Sequence, residues 1–197
     1  MDEAILARHA ESEYSARGAV NGDVDVPVAL TEVGREQARR LGELIRDDPI
    51  ELCVTSEFGR VLETAEIALA GRDVPRLVLP DLNDILVGEW EGKRLADYRV
   101  WARSHGPDDV TEGGGESRAA TVRRYVRAFR TILGRPERVV LVVTHGLPIR
   151  YLLNAAGGRD PVPAIDQVEY AAPYRLSRAQ VDLGVERLDR WCAAPAW

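Results

Sequence analysis

Cysteine is scarce in this chain, with only Cys53 and Cys192 among its 197 residues. Two cysteines cannot form the set of bridges that stabilises small secreted domains, so a disulfide framework is excluded. Basic residues are also fewer than acidic ones, with 26 Lys and Arg against 32 Asp and Glu. A net charge of −6 argues against binding of nucleic acid or of an anionic membrane surface. A basic pocket for a small anion remains compatible with this overall charge.

Long apolar runs are missing as well, and no segment approaches the roughly 20 residues of a membrane span. The first residues, Met1-Asp2-Glu3, have neither the basic nor the apolar region of a signal peptide, so we expect a cytoplasmic protein. HxxxH and CxxC spacings are absent, and no Gly-Lys-Ser/Thr follows the glycine run 113–115. The sequence therefore predicts no metal site, no P-loop and no cofactor.

Apolar runs and helical patterns alternate along the chain. Four short apolar runs predict buried strands: residues 4–7, 50–55, 76–79 and 138–144. Apolar residues at helical spacing predict the helices between them, which begin near these residues: Thr31, Ser56, Glu116 and Pro148. We expect Thr31 and Ser56 to cap the first two of these helices. This alternation indicates an α/β fold, a three-layer α/β/α sandwich with a mostly parallel central sheet.

Three segments lack a clear helical pattern. Residues 10–30 contain Gly and Pro without a period and predict a loop. Residues 81–115 predict a small, loop-rich, cap-like inserted lobe with one short helix near 94–103. The tail, 166–190, alternates apolar and polar residues and predicts edge strands. We interpret residues 1–197 as a single domain that carries this insertion.

Two of the three histidines, His9 and His145, directly follow predicted strands. Arg8 precedes the first, and Arg60 lies close to the start of the helix after the second strand. Ligands of open α/β sheets bind beyond the carboxyl ends of the strands. We therefore expect two imidazoles and two guanidinium groups to converge at one edge of the sheet.

These four side chains suit phosphoryl transfer. Guanidinium groups match the oxygens of a phosphate and stay charged at any working pH. A neutral imidazole is a competent nucleophile, because its free pKa is about 6.5. One histidine at a strand end is usually structural, and an Arg-His pair alone is common. Four such residues at corresponding positions predict a phosphohistidine mechanism more strongly.

With these residues in place, the sequence resembles the histidine phosphatase superfamily, in its phosphoglycerate-mutase-like branch, from Leu6 to about Leu153. Six motifs carry the resemblance in the right order: Arg8-His9-Ala10-Glu11-Ser12; Leu30-Thr31 with Gly34, Gln37 and Ala38; Thr55-Ser56 with Arg60, Thr64 and Ala65; Gly88-Glu89-Trp90-Glu91-Gly92; Gly115-Glu116-Ser117; and Thr144-His145-Gly146. Six ordered motifs are far more specific than any one of them.

The resemblance implies a role for each matching residue. His9 would be the nucleophile, and Arg8, Arg60 and His145 would bind the phosphoryl group. The family's general acid is a glutamate four residues before the first Gly of Gly-x-Trp-Glu-Gly, and Asp84 occupies that position here. Aspartate can perform the same proton transfer with a shorter reach.

The sequence departs from the family pattern at two further positions. Ala10 replaces a glycine, and its methyl group could crowd the backbone near the phosphate. Ser15 stands where family members often have asparagine. We expect Ser15 to donate a hydrogen bond to the phosphate, but a weaker one than asparagine would. Asn83 lies next to Asp84 in sequence, but an amide is not a useful proton donor.

The expected activity is hydrolysis of a small phosphorylated metabolite by a metal-independent histidine acid phosphatase-type phosphomonoesterase. The alternative enzyme is a phosphoglycerate mutase, but the stretch between Gly92 and Gly115 is short for the enclosure that mutases use. A third possibility is a non-catalytic phosphate-binding module. The presence of His9, Arg60 and His145 together disfavours that possibility.

Overall fold

One five-stranded sheet forms the middle layer of the computed structural model, which describes residues 1–197. Its strands are β1 (Glu3–Arg8), β2 (Leu52–Thr55), β3 (Arg76–Val78), β4 (Val139–Thr144) and β5 (Pro173–Ser177). The order is β3-β2-β4-β1-β5, and only β5 runs antiparallel to its neighbour. The mostly parallel sheet is confirmed, and β2, β4 and β1 lie side by side at its centre.

Helices cover both faces of the sheet. They are α1 (Glu13–Ala16), α2 (Glu32–Leu44), α3 (Gly59–Ala68), α4 (Leu95–Ser104), α5 (Arg118–Leu133), α6 (Gly146–Ala156) and α7 (Arg178–Ala193). Helices α2 and α3 contribute to the core on one face, whereas α5, α6 and α7 contribute to the core on the other. The three-layer arrangement follows from this division. None of the helices combines the length and apolar character that crossing a bilayer requires.

Side-chain alternation along β1 explains why both faces are covered. Ala4 and Leu6 point into the core beneath α5, α6 and α7, while Ile5 and Ala7 point into the core beneath α2 and α3. Successive side chains of a strand face opposite sides of the sheet, so a continuous apolar run needs helices on both. The short apolar runs of the sequence therefore become the central strands.

Helix starts agree with the sequence in one case and differ in three, one of which is α5, which begins at Arg118 and not at Glu116. Thr31 caps α2, and its hydroxyl accepts a hydrogen bond from the Gly34 N–H at 3.0 Å. Ser56 was expected to cap α3, but the N-cap is Phe58, and the Ser56 hydroxyl bonds to His145 instead. Helix α6 begins at Gly146, so the predicted start at Pro148 was two residues late.

Two of the irregular segments also hold helices that sequence patterns did not indicate. The predicted loop 10–30 contains the single-turn helix α1. In the tail, only β5 is an edge strand. Most of the remainder is α7, where Ser177 and Gln180 form a capping box, so the prediction of several edge strands was wrong. Segment 81–115 contains two short 3₁₀ turns and α4, close to the predicted helix near 94–103.

Candidate active site

A cleft opens at the carboxyl edge of the sheet, where β1, β2 and β4 end side by side. Its cavity volume is about 170 Å³. Five of the six site residues expected from sequence line it: Arg8, His9, Ser15, Arg60 and Asp84. The sixth, His145, is fully buried directly beside them, with its ring centre 5.4 Å from that of His9.

His9 is held in one orientation by its own backbone neighbourhood. Its Nδ1 lies 2.8 Å from the Ala10 carbonyl, an acceptor, so the ring proton resides on Nδ1. The opposite nitrogen, Nε2, accepts a hydrogen bond from Arg60 Nε at 3.3 Å. Burial, followed by the charges of Arg60 and Arg8, holds the pKa of His9 well below its usual value of 6.5. The imidazole is therefore neutral near pH 7, and its one basic lone pair lies on Nε2, where it now accepts the hydrogen bond from Arg60.

His145 follows β4 and meets three polar partners. Its Nε2 lies 2.9 Å from the Ser56 hydroxyl, and its Nδ1 lies 3.3 Å from Arg60 Nη2 and 3.6 Å from Asp84 Oδ2. Burial, and then the charge of Arg60, keeps the pKa of His145 well below 6.5. A hydroxyl can donate or accept, so Ser56 supports either neutral tautomer of this ring. Arg60 and Asp84 occupy the side of the ring that faces the cleft.

Arg60 lies in the first turn of α3 and is 4% exposed. Its guanidinium contacts both histidines and also donates to the side-chain and main-chain oxygens of Asn21. Burial lowers the pKa of Arg60 to about 10, so it remains charged at neutral pH. One buried cation thus lies between the two imidazoles, an arrangement suited to compensating the negative charge of an anion.

Arg8 ends β1 with an unusual set of contacts. Its Nη1 donates to the Val168 carbonyl at 2.9 Å, and the guanidinium carbon lies 4.0 Å from the centre of the Tyr170 ring. Its Nε is buried and has no hydrogen-bond partner. Gly146, at the start of α6, lies close by: a Cβ added there would be 3.6 Å from that Nε. An unpaired buried donor beside a helix N-terminus is an arrangement that an anion would satisfy.

Asp84 is the only carboxylate that lines the cleft. Its Oδ2 lies 3.9 Å from Arg60 Nη2 and 3.6 Å from His145 Nδ1, while Oδ1 accepts from the N–H of Ile85 at 3.0 Å. The side chain is 25% exposed, so it can reach both the reacting groups and water. This position makes Asp84 a candidate proton donor or acceptor in the cleft.

Arg124 of α5 fixes the segment that carries Asp84. It forms a two-pronged ion pair with Glu116, at 2.9 and 2.7 Å, and its remaining donors reach the carbonyls of Asp81, Asn83 and Asp84. A guanidinium with this many partners is rigid, because its fork geometry is fixed. The Asp84 backbone is thus attached to a helix through Arg124.

Glu91 performs a similar task on the other side of the cleft. Its carboxylate accepts from Asn21 Nδ2 at 2.8 Å and from the N–H groups of Gly22 and Asp23 at 2.7 and 3.1 Å. Gly22 itself packs against the Ile85 carbonyl so closely that a Cβ would lie 2.0 Å from that oxygen. The contact holds Asn21, and through it Arg60, beside the Asp84 segment.

Ser15 lies in α1 at the cleft wall. Its hydroxyl is 2.9 Å from that of Ser12, which also caps the helix. The Ala10 methyl group belongs to the apolar core on the α2 and α3 side, and the Ala10 N–H donates to Thr64 Oγ1 at 3.0 Å. The methyl group that replaces glycine therefore packs in that core and does not line the cleft.

The other carboxylates near the signature motifs are engaged elsewhere and do not line the cleft. Glu11 accepts from Thr31 Oγ1 at 2.7 Å, and Glu116 is paired with Arg124. Asn83 bonds to the backbone and side chain of Glu57. These contacts leave Asp84 as the acid candidate.

Sequence reasoning missed several residues that build the site, namely Asn21, Ser56, Arg118 and Tyr170. Ser56 belongs to the motif that begins with Thr55-Ser56, so the sequence marked its position, but the role expected for it was that of a helix cap. The other three lie outside every motif, and only the folding of distant segments brings them to the cleft.

Comparison with known proteins decides the family. The sequence profile of the histidine phosphatase superfamily (branch 1) matches residues 4–193, nearly the entire chain. The chain belongs to the histidine phosphatase superfamily. The resemblance inferred from the six motifs is confirmed.

Individual relatives of this histidine phosphatase include both phosphatases and mutases. It is 35% identical over 149 residues to the adenosylcobalamin/α-ribazole phosphatase of Salmonella typhimurium, which covers 71% of this chain and 72% of the relative. It is 33% identical over 188 residues to the 2,3-bisphosphoglycerate-dependent phosphoglycerate mutase 2 of Gloeobacter violaceus, with 86% and 82% covered. The α-ribazole phosphatase of Shigella flexneri has a similar structure, with a TM-score of 0.76, 26% identity and 88% and 89% covered. The similarity to these phosphatases confirms the prediction of a phosphatase.

Proposed function

We propose that this histidine phosphatase hydrolyses small phosphomonoesters with His9 as the nucleophile. Its Nε2 attacks phosphorus, the bond to the ester oxygen breaks, and the phosphoryl group becomes attached to the imidazole. The observation that carries the proposal is the neutral His9 ring, whose Nε2 faces Arg60 while Nδ1 is tied to the Ala10 carbonyl. The fixed tautomer places the nucleophilic lone pair on Nε2, and the bound phosphoryl group would take over the hydrogen bond that Arg60 now donates to that nitrogen.

Proton transfer in this proposal belongs to Asp84. Asp84 lies beside the position proposed for the phosphoryl group and acts first in its protonated form. Asp84 then protonates the departing alkoxide, and the resulting carboxylate takes a proton from the water that attacks the phosphohistidine. The products are an alcohol and inorganic phosphate, and His9 returns to its neutral state.

The phosphoryl oxygens would be held by Arg8, Arg60 and His145, with Ser15 as a further donor. The free Nε of Arg8 gains a partner in this arrangement. A phosphoryl oxygen that accepts from Arg60 would also release Nδ1 of His145 from its present contact, so that a ring proton on Nδ1 can be donated to the phosphate. Ser56 can stabilise that tautomer by donating to Nε2.

The positive charge of the cleft supports an anionic substrate, although the protein as a whole is acidic. We propose that the protein is a single domain and that it is cytoplasmic. Four arginines but one carboxylate line the cavity, whereas the net charge of the chain is −6. Two of these, Arg8 and Arg60, supply the positive charge that the proposed phosphoryl transfer requires, so the proposed reaction needs no metal ion or cofactor. We propose that segment 81–115, which supplies Asp84, Tyr98 and Ala102 to the cleft, acts as the cap.

The test is phosphate release from a panel of phosphorylated metabolites, including α-ribazole phosphate, in the presence of EDTA and without 2,3-bisphosphoglycerate. We expect release by the wild type and its loss in His9→Ala, with His105→Ala as the matched control outside the cleft. Label from the substrate should remain on protein quenched in alkali and be lost in acid, because phosphohistidine is acid-labile. Full activity of His9→Ala would refute the mechanism.

Phosphoglycerate mutation is the second candidate, because mutases are among the relatives at similar identity. Incubation with 3-phosphoglycerate and 2,3-bisphosphoglycerate distinguishes the two activities. A hydrolase releases inorganic phosphate, whereas a mutase converts 3-phosphoglycerate into 2-phosphoglycerate with little release.

A further inference from the structure

Two arginines of the chain are buried, and both line the cleft. Arg60 belongs to the proposed phosphoryl site. The other, Arg118, is 9% exposed, and its only hydrogen-bond partners are the phenol oxygens of Tyr151 at 3.2 Å and Tyr98 at 3.5 Å. The proposed transfer reaction gives Arg118 no role.

Arg118 has no counter-ion in the protein. No carboxylate forms an ion pair with it, whereas the partly buried Arg124, on the same helix, is paired with Glu116. Burial raises the pKa of Tyr98 and of Tyr151, so both phenols are neutral near pH 7 and do not balance the charge. An unpaired buried cation is costly, and such groups normally bind an anion.

The position of Arg118 in α5 increases this cost. It is the first residue of the helix, where the helix dipole disfavours a positive charge. The local N–H groups already have partners, since Ala120 N–H donates to Ser117 Oγ and Ala119 N–H donates to the Pro107 carbonyl. The helix end is therefore capped, and the guanidinium is the group in need of an anion.

A second cation strengthens the case. Arg99, half-buried on α4, also lines the cleft and forms no ion pair. Apolar side chains, including Leu147 and Val168, line the cleft as well. The cleft therefore offers two features besides the proposed phosphoryl site: cations without counter-ions, and apolar surface.

We propose that Arg118, assisted by Arg99, binds a second anionic group on the alcohol part of the substrate. This rests on the proposed function and narrows its substrate class. The preferred ester carries a carboxylate or a second phosphate, separated from the scissile phosphoryl group by a largely apolar linker.

The test compares ω-carboxyalkyl phosphates of increasing chain length with their methyl esters, in which a neutral ester replaces the second charge. Alkyl bisphosphates form a further arm that distinguishes a phosphate from a carboxylate. We expect the wild type to favour the charged member by about 10- to 100-fold in kcat/KM, as for hydrogen bonds to a charged group. Arg118→Met should abolish most of this ratio, and Arg118→Lys should retain part of it.

Arg103→Met is the matched control, because Arg103 is an exposed arginine of α4 that does not line the cleft. It should keep the wild-type ratio. Equal turnover of both members by the wild type would overturn the proposal, and this arm needs no variant. An equal fall for both members in Arg118→Met would also overturn it, since that result indicates a structural role.

A binding measurement separates this proposal from the proposed function. Calorimetry with ω-carboxyalkylphosphonates and their methyl esters requires no turnover and can be run on His9→Ala. A preference for the charged member that disappears in Arg118→Met supports the subsite even if phosphatase activity is not found. Equal dissociation constants overturn it even if the enzyme is an active phosphatase.

Discussion

Asp84 is the side chain on which the proposed proton transfers depend. Departure of an alkoxide is difficult without a proton, and a positioned acid contributes about 10²–10⁴-fold to such a step. Asp84→Asn preserves size and polarity but removes both proton functions. We expect a fall of that order in kcat with alkyl phosphates and a much smaller fall with p-nitrophenyl phosphate, whose leaving group needs little protonation. Steady-state kinetics with both substrates measures the difference.

Asp81→Asn provides the control for that substitution. The Asp81 carboxylate lies three residues away, pairs with Arg127 and does not line the cleft. Its kinetics should match those of the wild type. If Asp84→Asn slows neither substrate, the acid is another group.

His145 predicts a particular dependence of stability on pH. The pKa of its imidazole is lowered by burial in the folded protein and is about 6.5 in the unfolded chain. Below pH 6.5 or so the unfolded chain therefore binds more protons, and the free energy of unfolding decreases as the pH falls through this window. We expect His145→Asn to show a shallower decrease than the wild type between about pH 7 and pH 5.

Urea denaturation at each pH measures this slope. His105→Asn is the matched control, since it removes an imidazole that stacks on Trp101 outside the cleft. Parallel curves for the wild type and His145→Asn would show that His145 contributes nothing to acid sensitivity.

The residues that could be predicted from sequence are those at strand ends. His9 and Arg8 are adjacent to a recognisable apolar run, and parallel strands place such positions at one edge. Asn21 and Tyr170 could not be predicted in this way. Each reaches the cleft from an irregular segment, and its partner, Arg60 or Arg8, is distant in sequence.

Two motif glutamates, Glu91 within the lobe and Glu116 directly after it, hold the segments that form the cleft. Glu91 holds the Asn21 loop, and Glu116 orients Arg124, which in turn holds the backbone around Asp84. The motifs could be recognised from sequence. Their physical tasks could not, because both depend on contacts between segments far apart in the chain.

Arg124→Met tests whether the anchor positions the acid. Without the guanidinium, the carbonyls of residues 81, 83 and 84 lose their donor, and the Asp84 carboxylate should leave its productive position. We expect kcat with alkyl phosphates to fall about 10- to 100-fold, as for small displacements of a catalytic group. The fall with p-nitrophenyl phosphate should be smaller, and Arg124→Lys should restore part of the activity.

The control is Arg127→Met, on the same helix, which removes an exposed ion pair with Asp81. It should leave the ratio of the two substrates unchanged. An equal loss with both substrates in Arg124→Met would indicate general destabilisation and contradict the positioning role.

Element boundaries show where local patterns are insufficient. Ser56 has the side chain of a helix cap, but its hydroxyl bonds to His145, a partner that lies 89 residues later in the chain. In the tail, Ser177 and Gln180 form a capping box that a closer examination of that segment could have identified. The first error required tertiary information, whereas the second did not.

Helices α6 and α7 pack closely against each other, away from the cleft. A Cβ at Gly184 would lie 2.8 Å from Leu152 Cδ1 and 3.2 Å from its carbonyl oxygen. We expect Gly184→Ala to lower the free energy of unfolding by about 1 kcal/mol, because overpacking against Leu152 and its carbonyl outweighs the helix propensity that alanine gains, with kcat unchanged. Chemical denaturation and kinetics at a permissive temperature measure the two effects.

Gly134→Ala is the comparison, because the nearest atoms to its added methyl group lie 3.6 Å away and its φ is −76°. It should change stability far less. A Gly184→Ala protein as stable as the wild type would show that the two helices can move apart without cost.

The cleft has two differently constructed halves, and this has a consequence for protein engineering. The phosphoryl half comes from the ends of the central strands, whereas Leu95, Ala102 and Ile165 line the cleft from the lobe and the segment before β5. Randomising these three positions would change the preferred alcohol while the reacting groups keep their support. Directed evolution toward chosen phosphate esters can therefore begin from a small combinatorial library.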